Sequence, residues 1–253
     1  MGKSRSERPV GWRERRERAC VRLYQRHYRR AGVRERDEAL FAVLERYLRE
    51  STVLLDAGCG VRGDWLAAYA ARVAKAVGVD VVVEGGALRP GVGLCRADLA
   101  RLPFPDASFD LVMSRSVLEH LDAPSAVFQE LSRVTRRGGI LVMTTPTKWD
   151  YGSIAARLTS TSFHRRFLRF IGGYGADYEN YPTRFQANTR HAPIGFARAA
   201  GLQVVSIEGI SHPPYYLRFS AVLYGLGIAY ERFISRMGWE ELRGSWLLTL
   251  RKP

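Results

Sequence analysis

A short apolar run, Val53-Leu54-Leu55, passes directly into Asp56 and then into a loop carrying Gly58, Gly60 and Gly63. The apolar residues read as a buried strand of a parallel sheet. The glycines let the backbone turn tightly and come close to a ligand at the start of the following helix, where a side chain would hold that ligand off. The stretch from Gly58 to Gly63 also fits the G-x-G-x-x-G pattern of dinucleotide sites. Asp56 separates the two readings. A dinucleotide loop receives a pyrophosphate on the helix N-terminus, and a carboxylate two positions before the first glycine would repel it. A cationic ligand would be attracted instead.

Further elements follow at regular spacing. Ala76 to Asp80 reads as a second strand ending in an acid twenty residues after Gly60. A carboxylate there can accept both ribose hydroxyls of an adenosine, whichever cofactor carries it. Cys95 to Leu99 is followed by Leu102-Pro103-Phe104. Ser108 to Met113 reads as a fourth strand, then comes Val117 to Leu121, then a helix from about Pro124 to Arg137. Gly138-Gly139 turns into a strand from Ile140 to Thr144. The D-x-G-x-G loop and this whole series from Val53 to Pro146 resemble the class I S-adenosylmethionine (SAM)-dependent methyltransferases, and within them the UbiE/type-11 subgroup. SAM carries an α-amino group and a sulfonium and no phosphate, as the Asp56 argument requires.

The resemblance implies a Rossmann-like α/β fold with a doubly wound, mostly parallel seven-stranded sheet, N-terminal helices and a lid insertion after strand five. It implies that SAM is held by Asp56, Gly58, Cys59, Gly60, Gly63, Asp80, Asp98, Leu99 and Ser114, with Asp98 facing the adenine amine. Two residues, Val61 and Arg62, separate Gly60 from the next glycine, where the subgroup loop has one. Glycines alone would also serve a tight turn in a non-binding α/β domain, but such a turn has no need of the accompanying acids.

At 253 residues and 46% hydrophobic content the chain can bury one substantial core. No apolar run reaches bilayer-spanning length and the N-terminus is charged without a signal-peptide core, so a cytoplasmic protein is expected. Cys20, Cys59 and Cys95 show no metal-ligand spacing, and no metal is expected. The net charge of +14 raises nucleic-acid binding as a hypothesis. However, lysine occurs four times among 39 basic residues, leaving 39 − 4 = 35 arginines spread along much of the chain. A nucleic-acid partner is therefore disfavoured, as is the amino-methylating class: Ser114-Arg115-Ser116 stands after strand four in place of N/D-P-P-[FYW]. The densest cluster, Arg13 to Arg36, has helical periodicity. It suits a solvated cap helix or a surface meeting anionic phosphates or lipid headgroups at the inner face of the membrane.

The chain divides into an N-terminal helical cap over 1–50, a SAM-binding core over 51–146, a lid over 147–190 and a C-terminal completion of the sheet over 191–253. The cap reads as two helices, about Trp12 to Arg30 and Glu35 to Arg49, the second with a core-facing stripe that packs on the sheet. The lid is rich in aromatic and polar groups and follows strand five, so it can fold over the methyl group. A helix near Thr189 to Ala200 and strands from Leu202 to Ile210 and Ser245 to Leu250 follow. Between them, His212 to Gly238 reads as an apolar crossover helix packed on the sheet, or as a face that docks on lipid.

Methyl transfer to a hydroxyl needs in-line positioning and removal of one proton. His120, after strand four, is the candidate base, with Glu119 orienting it or binding a hydroxyl; a histidine here can equally serve to hold the loop. The part after strand five runs from Thr145-Pro146-Thr147-Lys148-Trp149-Asp150-Tyr151 through Arg157-Leu158-Thr159, with Phe163-His164-Arg165 and later Tyr181-Pro182-Thr183 and Ala187-Asn188-Thr189; it resembles a bacterial branch associated with cell-surface glycan and glycolipid biosynthesis. The implied acceptor is a glycan or lipid-linked saccharide, contacted by Trp149, Asp150, Tyr151, His164 and Tyr181. A quinone or other small aromatic acceptor is the alternative. So is a non-catalytic member of the fold in an envelope biosynthesis complex.

Overall fold

The computed structural model describes residues 11–30, 33–83, 91–158 and 182–253. His164, Tyr181 and the middle of the expected lid lie outside the described residues. Seven strands form one sheet: β1 (Val53–Ala57), β2 (Lys75–Asp80), β3 (Val92–Arg96), β4 (Phe109–Arg115), β5 (Thr135–Pro146), β6 (Gln203–Ile210) and β7 (Ser245–Arg251). Their order is β3-β2-β1-β4-β5-β7-β6, with β1 to β5 parallel and β7 antiparallel to both neighbours. This is the doubly wound, mostly parallel sheet expected from the sequence. Among the described residues the α-helices are α1 (Trp12–Tyr24), continued by a π-helical turn over Gln25–Arg29, α2 (Arg36–Tyr47), α3 (Pro124–Val134), α4 (Tyr151–Leu158), α5 (His191–Ala199) and α6 (Ala221–Met237).

Side chains alternate across a strand, so successive apolar residues feed opposite faces. Leu54, Leu111, Val142 and Leu247 meet Leu40, Leu44 and Leu48 from the α2 segment on one face. Leu55, Val112, Leu141 and Leu248 meet Phe128 and Leu131 of α3 and Ala197 of α5 on the other. This is why β1, β4 and β5 are continuous apolar runs: both of their faces are covered.

Three sequence expectations need correction. The glycine loop after β1 does not open a regular helix; two 3-10 turns, Leu66–Ala68 and Ala70–Arg72, stand there. Trp65 and Tyr69 pack on Phe41 of α2, at ring-centroid distances of 5.1 and 5.9 Å, and this tertiary packing fixes the segment short of a full helix. Helix α3 ends at Val134, and Gly138-Gly139 falls within an irregularity of β5 rather than before it. A Cβ on Gly139 would lie 2.6 Å from Thr135 Cγ2, so this tight detour requires glycine. Finally, α6 does not lie across the sheet: Tyr224 and Ile228 form a separate cluster with Cys20 and Tyr28 of the N-terminal helix.

The loop from Leu102 to Asp106, between β3 and β4, is held by two side chains on α3, Arg133 and Glu130. Arg133 donates to both carboxylate oxygens of Glu130, to Asp106 Oδ1 and to the carbonyls of Phe104 and Leu102, at 2.8 to 3.0 Å. Glu130 in turn accepts the Leu102 N–H at 2.7 Å. All five guanidinium N–H groups are used, and these carboxylates push the Arg133 pKa up. Arg133→Ala is expected to cost about 1–2 kcal/mol in urea unfolding, because the backbone carbonyls gain only water as partner. A midpoint equal to that of the parent would show the loop to be held by packing alone.

Candidate active site

The carboxyl ends of β1, β2 and β4 assemble the glycine loop and its acids. Gly58, Gly60 and Gly63 have φ of +89°, +70° and +57°, a region that favours glycine. The three differ in what they face. A Cβ on Gly58 would stand 2.1 Å from Val117 Cγ2, in the loop after β4, and one on Gly63 would stand 2.8 Å from Leu94 Cδ2. A Cβ on Gly60 would meet nothing within 4 Å. Gly60 thus presents bare backbone to open space, as a closely approaching ligand requires.

Asp80 ends β2, and its two carboxylate oxygens accept the N–H groups of Gly60 at 2.9 Å and Val82 at 3.3 Å. Each oxygen retains a lone pair for a diol hydroxyl. Cys59 is buried, and burial pushes its thiol up to about 12, so it packs as an apolar group. The ends of β2 and β3 are tied together by the Ala97 N–H, which donates to the Asp80 carbonyl at 3.1 Å. Beyond it, exposed Asp98 accepts the Ala100 N–H at 2.9 Å, and Leu99 is buried beside Leu102.

Asp56 is buried at the end of β1, and desolvation pushes its pKa up to about 7; Arg115 opposes the shift and Asp80 adds to it. Arg115, at the end of β4, lies over the Trp65 ring at 4.4 Å from its centroid and reaches Asp37 of α2 at 3.3 Å. No local spacing ties Asp37, Trp65 and Arg115 together, and sequence reasoning missed all three. Ser114 is fully buried with no partner for its hydroxyl among the described residues, and the same holds for the Ser116 hydroxyl, at a non-glycine φ of +56°. Backbone strain and orphaned polar groups coincide here, as at ligand-binding sites.

Glu119 and His120 close the crevice on the β5 side. Glu119 is buried, with its pKa raised by desolvation, and it accepts a hydrogen bond from the Thr145 hydroxyl at 2.9 Å. The Asn188 amide donates to Thr145 Oγ1 at 2.7 Å and to the Pro146 carbonyl at 2.8 Å. The His120 Nδ1 lies 3.2 Å from the Pro182 carbonyl. A carbonyl only accepts, so at this contact Nδ1 is the donor. Nε2 stands 3.9 Å from Glu119 Oε1.

The remaining expected acceptor contacts separate. Trp149 is 42% exposed, with the Lys148 ammonium 5.7 Å from its ring centroid. Asp150 is buried and its Oδ2 accepts the N–H groups of Gly152 and Ser153, capping the start of α4. Tyr151 packs edge-on against Tyr230 of α6, at 6.3 Å between ring centroids.

Residues 55–143, which carry the glycine loop, both strand-end acids and most of β5, match the model of the methyltransferase domain family. An uncharacterized methyltransferase of Mycobacterium leprae is 36% identical over 195 residues, covering 73% of this chain and 70% of that protein. The chain belongs to the class I methyltransferases. A probable S-adenosylmethionine-dependent methyltransferase of Mycobacterium tuberculosis is 40% identical over 118 residues, 46% of this chain. The chain matches between 43% and 59% of the lengths of several such relatives. Among solved structures, geranyl diphosphate C-methyltransferase from Streptomyces coelicolor shares the fold, with a TM-score of 0.54 and 14% identity over 85% of this chain and 79% of that one.

The buried Asp56 sets a pH dependence on the stability of the unliganded protein. Its folded pKa lies above that of an unfolded aspartate, so its stabilising contribution is complete below about pH 4 and is lost as pH rises through about 7. Asp56→Asn is expected to become the more stable protein as pH rises from 5 to 8, with a gain of about 2–4 kcal/mol relative to the parent across that window. Parallel denaturation curves for the two proteins across pH would show Asp56 to be ionised and already paired.

Proposed function

We propose that this methyltransferase uses SAM to methylate a hydroxyl of a glycan or lipid-linked saccharide. When bound, SAM supplies an electrophilic methyl group. Asp80 would hold the ribose diol, the Gly58 to Gly60 backbone would admit the methionine portion, and Leu99 and Asp98 would flank the adenine. Asp56 would take the α-ammonium: a buried carboxylate with a raised pKa gains most from a fixed cation. Ser114, with its orphaned hydroxyl, would be one further contact.

The observation that carries acceptor deprotonation is the place of His120 after β4, its Nε2 beside the buried Glu119 carboxyl. Its Nδ1 lies 3.2 Å from the Pro182 carbonyl, and Nε2, on the other edge of the ring, would be the atom that takes a proton from an acceptor hydroxyl. Glu119, beside Nε2, would then stabilise the imidazolium that forms. Thr145 and Asn188 fix that carboxylate from below. The exposed Trp149 ring gives a flat face on which a sugar could stack. A quinone or other aromatic acceptor is the second reading, favoured by the same ring.

His120→Ala is expected to lower methyl transfer about 100-fold or more, with affinity for S-adenosylhomocysteine close to the parent's. The assay follows labelled methyl groups from SAM into polyprenyl-linked saccharides, free saccharides and a hydroxylated quinone. Label in the quinone alone would overturn the saccharide reading, and full turnover in the variant would remove His120 from the chemistry. Cofactor affinity supplies a separate check. Because Asp56 must lose its proton to pair with the ammonium, S-adenosylhomocysteine should bind about fivefold or more tightly at pH 7.5 than at pH 6, and Asp56→Asn should flatten that dependence. An unchanged slope in calorimetry would place the ammonium elsewhere.

A further inference from the structure

Helix α6 buries Tyr224, Ile228, Glu231 and Ile234 on its inner side. On its outer side Val222, Leu226 and Phe233 are 73%, 61% and 53% exposed, and Met237 and Trp239 continue the same stripe. The spacing of 222, 226, 230, 233 and 237 keeps these side chains on one face. An apolar stripe of this extent on a surface helix marks an interaction site.

The neighbouring surface decides what the stripe meets. Helix α1 runs alongside α6 in the same direction: Glu17 pairs with Arg218, Leu23 lies 3.8 Å from where a Cβ of Gly225 would stand, and His27 contacts Arg232. Over residues 12–30 the chain carries eight arginines against two glutamates. Exposed Trp12 stands at the start of that helix, and Arg232 and Arg236 lie on α6 itself. A second copy of this chain docking face to face would bring like-charged arginines together. Nucleic acid would satisfy the arginines and leave the apolar stripe in water. An anionic bilayer satisfies both, with the stripe in the acyl boundary and guanidinium groups at the headgroups.

We propose that the outer face of α6, together with the arginine-rich α1 beside it, is a docking surface for an anionic lipid bilayer. The Tyr151–Tyr230 contact joins this surface to α4, which follows β5 at the edge where the acceptor is expected. Docking would therefore bring the crevice to a bilayer-borne acceptor, a consequence that rests on the lipid-linked reading above, whereas the surface itself does not.

The test is flotation of the full chain with phosphatidylcholine vesicles, with and without about 30% phosphatidylglycerol, at low and high salt. The parent is expected to float with anionic vesicles, at least tenfold more strongly than with neutral ones, and to be partly released by salt. Leu226→Asp/Phe233→Asp should reduce binding about tenfold or more at both salt concentrations. Arg22→Glu/Arg26→Glu should remove mainly the salt-sensitive part. Val205→Asp, an exposed apolar position on β6, should bind like the parent. S-adenosylhomocysteine binding, measured on each preparation, reports folding and tests the methyltransferase reading separately. A parent that binds this product but ignores every vesicle overturns the docking surface alone. So does a parent that is dimeric in solution while Leu226→Asp/Phe233→Asp is monomeric, which would assign the stripe to self-association.

Discussion

Leu54 with Leu111, Leu55 with Val112, and Asp56 with Met113 join β1 to β4, and at this seam the crossovers leave the sheet in opposite directions. A parallel sheet opens a crevice beyond its carboxyl edge at such a point. The seam is secured at both ends. At its base the Asp110 carboxylate accepts the Val53 N–H at 2.8 Å and pairs with Arg136. At its top, the space where Gly58 lacks a side chain is filled by Val117, so the loops after β1 and β4 close on each other. The crevice floor is therefore set by a missing methyl group as much as by the strands.

The acids around the crevice show why its two sides behave differently. Asp80 is held by two backbone N–H groups and remains partly accessible. Asp56 lies only one strand away but is fully enclosed, and Arg115 offsets only part of its desolvation. Arg115 is itself shared with Asp37 and Trp65, so the helical cap contributes to the electrostatics beneath the glycine loop. On the other flank, Glu119 draws its hydrogen bond from a chain that runs through Thr145 to Asn188, joining β5 to the approach of α5.

The parts that local pattern specifies were legible in the sequence. Val53 to Asp56, the positive-φ glycines and Asp80 depend on near neighbours, and a strand buried on both faces reads as an apolar run. The stripe of α2 was legible for the same reason. What escaped depends on contacts between distant segments. The residues after Gly63 form two 3-10 turns because Trp65 and Tyr69 are pinned by Phe41. The orientation of α6 follows from side chains on α1 rather than from its own composition, and Asn188 enters the site only through the antiparallel return of β7, whose Trp246 indole donates to its carbonyl at 3.2 Å.

The pairing of α1 with α6 joins segments far apart along the chain: Glu17 and Arg218 are 201 residues apart, and His27 and Arg232 are 205. Contacts of such separation carry a large loop-closure entropy and form late. During synthesis the arginine-rich half emerges well before the apolar half, so the two cannot act together until both have been made. Any adhesive property of the combined surface is thereby withheld until the sheet between the two segments has been built.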